Sequence, residues 1–124
     1  MPRWLRVTFL IHAILSLLIG AALLIVPGHA LALVNWLPND PLMTRLVGAA
    51  LLALAWSSFR GWKASDYAQV AILVEAEAIF TTLGALGLLR HLVKAWYPPI
   101  GWVTFGLLAV FAVVWGLALI KRPK

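Results

Sequence analysis

Two glutamates, Glu75 and Glu77, lie in the otherwise apolar run Val-Ala-Ile-Leu-Val-Glu-Ala-Glu-Ala-Ile-Phe. A carboxylate inside a membrane costs free energy unless it is paired, protonated or in contact with water, so its presence indicates a structural or functional role. At about 3.6 residues per helical turn, the two side chains point about 200° apart and cannot face the same neighbour. Glu77 shares a face with Thr81 and Gly84, which favours Glu77 for the interior of a helical bundle.

Partners for the two carboxylates can be predicted from their depth in the membrane. With a rise of about 1.5 Å per residue, Glu77 is expected near mid-membrane and Glu75 nearer the inner side, at the level of His12. We therefore predict an intramembrane polar cluster of His12, Arg45, Glu75, Glu77 and Thr81, with His12 paired to Glu75 and Arg45 paired to Glu77. In the alternative, one or both glutamates are protonated and hydrogen-bond to the helix backbone or to Thr81 or Thr82.

The other residues that could do chemistry form no recognisable set. His12, His29 and His91 are scattered along the sequence, without the carboxylate spacing that would join them into a metal site. The sequence has no glycine-rich phosphate loop, dinucleotide fingerprint or Ser-His-Asp set. Ser57 and Ser58 are expected to satisfy backbone carbonyls. We predict no catalytic residues, no metal site and no cofactor, and so a protein that is not an enzyme.

The composition places the chain among membrane proteins. Of 124 residues, 64% are hydrophobic and 11% are charged, whereas a soluble domain has about a quarter of its residues charged. The mean hydropathy is +0.98. The net charge of +6 resembles that of a nucleic-acid-binding protein, but the basic residues collect at the ends of apolar runs, as topology signals do, so no nucleic-acid partner is expected. The length predicts a single transmembrane domain over residues 1–124.

The helices that position these residues can be predicted from the hydropathy of the sequence and from the positions of its prolines. A helix needs roughly 20 apolar residues to cross a membrane, and continuous apolar runs favour helices over strands. Four spans are predicted, at about residues 4–26, 42–62, 67–89 and 100–120. Asn39 or Asp40 can cap the second span, with Pro41 at its first helical position. Residues 1–32 resemble a secretory signal peptide, but their apolar run exceeds the usual ~7–15 residues, so we interpret them as a span.

The segment between the first two spans is the longest predicted connection. Pro27-Gly28 is expected to end the first span. The residues from His29 to Leu37 form either a short interfacial helix anchored by Trp36 or an ordered apolar loop, and we favour the loop. In both interpretations this short segment lies at the outer interface.

The orientation follows from the distribution of Lys and Arg. With both termini inside, seven basic residues lie on the inner side and three on the outer side. The inner set is Arg3, Arg6, Arg60, Lys63, Lys121, Arg122 and Lys124, and the outer set is Arg45, Arg90 and Lys94. The prediction is an all-α, four-helix integral membrane bundle in a bacterial inner membrane, with both termini cytoplasmic.

Small and polar residues indicate which helix faces pack together. Thr8, His12, Ser16 and Gly20 recur every four residues and form one stripe, which should face other helices. Four glycines fall at similar depth in the outer half, where they would let helix backbones approach closely. These are Gly20, Gly48, Gly84 and Gly106.

The sequence resembles known membrane families in Pro27-Gly28 and in Arg45-Leu-Val-Gly-Ala-Ala. In these features it is similar to small bacterial four-helix membrane proteins of unknown function, and more loosely to DoxX-like proteins. The resemblance implies an inner-membrane four-helix bundle. Two functions are compatible with it: a non-catalytic membrane subunit or scaffold, in a homo-oligomer or a larger complex, or a dimeric proton-coupled carrier of a small cationic or lipophilic solute. We favour the subunit.

Overall fold

The computed structural model describes residues 1–36 and 40–122, and this part of the chain is helical without any strand. Its helices, numbered along the chain, are α1 (Arg3–Ile25), α2 (Pro27–Leu33), α3 (Pro41–Lys63), α4 (Ala71–Leu92) and α5 (Pro99–Ile120). A single 3-10 turn, Tyr67–Gln69, precedes α4. The predicted all-α class is confirmed.

The chain divides into two compact units. The first hairpin, Pro2–Ala64, contains α1, α2 and α3. The second hairpin, Ser65–Lys124 together with Met1, contains the 3-10 turn, α4 and α5.

Four of the helices are long and apolar enough to cross a membrane. They are α1 and α3, with 23 residues each, and α4 and α5, with 22 each. At about 1.5 Å per residue these lengths match a hydrocarbon layer of about 30 Å. The prediction of four helices able to span a membrane is confirmed.

The start of α3 shows why the second span begins where it was predicted. The Asp40 carboxylate accepts hydrogen bonds from the backbone N–H groups of Leu42 at 3.0 Å and Met43 at 3.4 Å. These are donors that a helix start leaves without intrahelical partners, and Pro41 at the first position has no N–H to satisfy. Asp40 is therefore the cap, while the alternative cap, Asn39, lies outside the described residues.

The preference for a loop between the first two spans is wrong, because residues Pro27–Leu33 form α2. Pro27 does not simply end the first span; its fixed φ angle starts a new helix, while Val26 before it leaves the helical region, at a φ of −130° and a ψ of 57°. Asn35, at a φ of 57°, ends α2. Its N–H donates to the Ala32 carbonyl at 3.2 Å, and the next N–H donates to Leu31 at 2.9 Å, which is the Schellman arrangement.

The predicted bounds of the third span are also wrong. Residues Tyr67–Gln69 form the separate 3-10 turn, because the Asp66 carboxylate accepts from the backbone N–H of Gln69 at 3.2 Å and fixes a tight turn there. The helix proper begins at Ala71 and continues to Leu92. Its last turn carries Arg90 and His91, whose positions at a helix C-terminus are electrostatically favourable when the side chains are charged.

Within the first hairpin, α1 and α3 approach so closely that two glycines at their contact have no room for a Cβ atom. A Cβ atom added to Gly48 would lie 2.6 Å from the backbone nitrogen of Leu24 and 2.8 Å from the carbonyl oxygen of Gly20. A Cβ on Gly20 would lie 2.9 Å from the carbonyl oxygen of Gly48. The predicted close approach is thus confirmed for this pair. Gly106, by contrast, has no such neighbour within 4 Å.

Near the other end of the same interface, Gly61 accommodates an aromatic ring. A Cβ on Gly61 would lie 2.6 Å from two ring carbons of Phe9, and Phe9 is fully buried. The contacts of Gly61 and Gly48 with α1 set an antiparallel register along most of both helices. The register decides which polar side chains of α1 and α3 meet.

Candidate intramembrane polar sites

Glu77 and Thr81 lie together on the buried face of α4. Glu77 is 2% exposed and Thr81 is 1% exposed. The Thr81 hydroxyl donates to the backbone carbonyl oxygen of Glu77 at 2.7 Å, so its hydrogen-bond acceptor lies on its own helix. The prediction that Glu77 faces the interior is confirmed, as is its shared face with Thr81.

The position of Glu77 along its helix differs from the prediction. Because α4 begins at Ala71, Glu77 lies about 9 Å from the start of a helix about 33 Å long. The midpoint of α4 falls near Thr81 and Thr82 instead. The predicted mid-membrane level of Glu77 came from counting the 3-10 turn as part of the span and from ending the span at Leu89 instead of Leu92.

Glu75 lies on a different face, as the helical period predicts. Its side chain is 50% exposed, and its Oε1 atom is 3.8 Å from Nη2 of Arg122, which follows the end of α5. This ion pair joins the two ends of the second hairpin. At such exposure the pair contributes little to stability, typically under about 1 kcal/mol.

The surroundings of Glu75 on α4 are apolar and exposed. It occupies one position of a stripe with steps of three and four residues, the spacing of a helix face that packs against another helix. The other members are Ile72, Ile79, Leu83 and Leu86, each at least 60% exposed. We call this surface the α4 stripe.

His12 meets a serine that the sequence reasoning assigned another role. Its Nδ1 atom and the Ser58 hydroxyl oxygen are 2.8 Å apart, and both residues are buried. Ser57 behaves as predicted, since its hydroxyl donates to the Leu54 carbonyl at 2.9 Å. The sequence does contain a signal that Ser58 faces another helix: Ala55, Ser58 and Gly61 are spaced three residues apart and form one small-residue face of α3. The buried His12, Ser16 and Gly20 confirm that their stripe faces a helix.

Arg45 contacts the end of α1. Its Nη1 atom donates to the carbonyl oxygen of Leu24 at 2.6 Å. This carbonyl is among the last four of α1, which lack an intrahelical donor, and a cation also suits the negative end of the helix dipole. Arg45 therefore has a structural role within its own hairpin.

The five predicted cluster residues are thus distributed over the two units. His12 and Arg45 belong to the first hairpin, and Glu75, Glu77 and Thr81 belong to the second. The two predicted pairs, His12 with Glu75 and Arg45 with Glu77, each join one hairpin to the other. They stay predictions.

Tyr67 completes the polar contacts at the start of α4. Its hydroxyl donates to the backbone carbonyl of Ala118 on α5 at 3.3 Å. Burial raises the pKa of the Tyr67 phenol above its ordinary value; the nearby Arg122 cation opposes this and the Glu75 carboxylate adds to it. The neutral phenol is the form that can donate this hydrogen bond.

No protein-family profile, curated protein or solved structure matches the chain. The resemblance of the segment from Arg45 to small four-helix membrane proteins therefore stays a prediction.

Proposed function

We propose that this chain is a non-catalytic subunit of a membrane assembly, and that the α4 stripe is the surface through which it binds its partner. The observation that carries the proposal is the row of exposed apolar side chains on α4, with the half-exposed Glu75 carboxylate near the start of the helix. A carboxylate facing lipid is unfavourable. The Arg122 cation, 3.8 Å from the carboxylate, offsets this penalty only in part, because both side chains are at least half exposed. A partner helix that supplies a hydrogen-bond donor would offset the remainder and would cover the apolar residues of the stripe.

The tight packing of the first hairpin supports a scaffold role. The Gly20–Gly48 contact brings two backbones together, and Phe9 fills the space that Gly61 leaves open. Arg45 and Arg6 each donate to a backbone carbonyl across the hairpin, at Leu24 and Ala64 respectively. Such an interface has little freedom to change its geometry, as suits a component that holds others in place.

Cysteine cross-linking tests this proposal directly, because the chain has no cysteine of its own. Leu83→Cys places a thiol in the α4 stripe, and Val113→Cys places one at a similarly exposed position of α5. In native membranes treated with a reagent that joins a maleimide to a photoreactive benzophenone and then irradiated, we expect a discrete cross-linked product from Leu83→Cys, and we expect Glu75→Leu to abolish it. Equal products from both cysteines, or a product that Glu75→Leu leaves unchanged, would contradict the proposal.

The burial of Glu77 favours a second candidate function, a proton-coupled carrier of a small cationic or lipophilic solute. A buried carboxylate in a membrane helix is a common proton-exchange group, and Glu77 is 2% exposed. Reconstituted protein would then release protons when the cationic substrate is added. Release that is lost in Glu77→Gln but kept in Glu75→Gln would favour the carrier over the subunit.

The proposed location is a bacterial inner membrane, with both termini in the cytoplasm. The basic residues at the start of α1 and the end of α3 support this orientation, because the antiparallel register places both groups at one end of the first hairpin. An impermeant maleimide added to intact cells should label Lys94→Cys and leave Ser65→Cys unlabelled. The reverse labelling would invert the topology.

A further inference from the structure

The first hairpin carries a groove on one side of the α1–α3 interface. The groove has a volume of about 500 Å³ and is lined from α1 by Leu10, Ala13, Ile14 and Leu17, and from α3 by Leu52, Ala55, Trp56 and Phe59. Leu10 and Leu17 are about 10 Å apart along α1. The groove is open along its length, and every lining residue is apolar.

Cationic side chains continue the groove-lining faces at one end. On α1, Arg6 and Arg3 precede Leu10 by four and seven residues, which places them on the same helix face. On α3, Arg60 and Lys63 follow Trp56 by four and seven residues, with the same result. These four exposed cations, which we call the basic mouth, all lie at the end of the hairpin where α1 begins and α3 ends.

The charge of the basic mouth is not balanced within its hairpin. The sequence from Pro2 to Ala64 contains one acidic residue, Asp40, and it caps the opposite end of α3. The guanidinium of Arg6 is fixed by its hydrogen bond to the Ala64 carbonyl at 3.3 Å. Lys63 lies 4.4 Å from the ring centre of Trp62, which restrains its ammonium near the same place.

We propose that this groove is a binding site for one anionic phospholipid, with an acyl chain between α1 and α3 and the phosphate at the basic mouth. Basic pockets between membrane helices bind anionic headgroups, and apolar grooves take hydrocarbon chains. The occupant is a lipid because the apolar groove continues directly into the basic mouth. A free phosphate would use only the cations, and a neutral lipid would use only the groove.

Native mass spectrometry of the 124-residue protein, released from detergent after titration with lipid, tests the site. The probes are phosphatidylglycerol and phosphatidylcholine with identical acyl chains. Each cation near a membrane surface adds an attraction worth roughly a five-fold change in affinity. Arg3→Gln combined with Arg60→Gln should therefore weaken phosphatidylglycerol binding roughly 25-fold and weaken phosphatidylcholine binding much less, because the choline cation of that lipid offsets the charge of its phosphate.

Two matched controls separate this site from general charge and general apolarity. Arg90→Gln with Lys121→Gln removes the same charge from the second hairpin and should change phosphatidylglycerol binding less than two-fold, roughly. Leu17→Trp fills the groove and should weaken the binding of both lipids. Leu18→Trp adds the same bulk at an exposed position that does not line the groove, and it should have no effect.

Four results would overturn the proposal. The first is equal affinity for the two lipids, and the second is equal loss in the two charge-removed proteins. The third is competition by millimolar inorganic phosphate, since a free anion would then occupy the mouth without the groove. The fourth is a dimer that Leu17→Trp dissociates, because a second copy of the chain would then fill the groove. None of these results depends on the α4 stripe, so the subunit proposal is tested separately.

Discussion

Replacing Gly48 by alanine is the sharpest test of how α1 and α3 are held together. The added Cβ would lie 2.6 Å from the backbone nitrogen of Leu24, and ordinary contacts begin near 3.4 Å. The two backbones would have to separate by about 0.8 Å, because neither obstructing group is a flexible side chain. A gap of that order forfeits about a quarter to a half of the dispersion attraction for the atom pairs involved.

The expected free-energy change is the difference between two opposing effects. Overpacking of a close interface typically costs about 1–3 kcal/mol, and rigid backbone neighbours place this site at the upper end. Alanine in place of glycine within a helix contributes up to about 1 kcal/mol in the other direction. We therefore expect Gly48→Ala to reduce the free energy of unfolding by about 2 kcal/mol.

The matched control is Gly106→Ala, since a Cβ there would meet nothing within 4 Å. It should leave stability unchanged or raise it by up to about 1 kcal/mol. Both variants can be measured by reversible unfolding in mixed micelles with increasing mole fraction of SDS, followed by far-ultraviolet circular dichroism. If Gly48→Ala and Gly106→Ala unfold at the same SDS fraction, the reasoning about the helix interface is wrong.

Three further predictions concern polar contacts. Ser58→Ala removes the hydroxyl that meets the buried His12 and should cost about 1 kcal/mol of unfolding free energy in the same SDS assay, whereas Ser57→Ala should cost less because it loses only a bond within its own helix. Arg122→Gln breaks an exposed ion pair and should change that free energy by less than about 1 kcal/mol; a larger loss would show that the pair is more buried than its exposure indicates. Because the Tyr67 pKa is raised above 10.0 in the folded protein, the unfolded chain loses this proton first as the pH rises. The stability that Tyr67 contributes is therefore present below about pH 10 and is lost as the pH rises further. The difference between the absorbance titrations of the wild type and of Tyr67→Phe at 295 nm should give a phenol pKa above the ordinary tyrosine value.

Helix existence could be predicted from local features of the sequence. Apolar length determined four spans, and Asp40 with Pro41 determined the start of α3 to within a residue. The helical period also separated Glu75 from Glu77 and placed Glu77 inside. These features depend only on residues within about one or two helical turns, so the local sequence is enough to predict them.

Two local predictions failed for a local reason. The 3-10 turn at Tyr67 and the helix at Pro27 each depend on side-chain and backbone hydrogen bonds that hydropathy does not register. The later start and the later end of α4 together moved the helix midpoint about one turn away from Glu77.

The partner of each polar side chain was decided by tertiary structure alone. Ser58 meets His12, and Arg45 meets the Leu24 carbonyl, because of the antiparallel register of α1 on α3. That register is set by where Gly20 and Gly48 let two backbones touch, which couples residues far apart in the chain. Local sequence fixes what each helix presents on each face. The steric fit between helices determines which residues of the neighbouring helix each face meets. When every helix is apolar, only close packing distinguishes one register from the next.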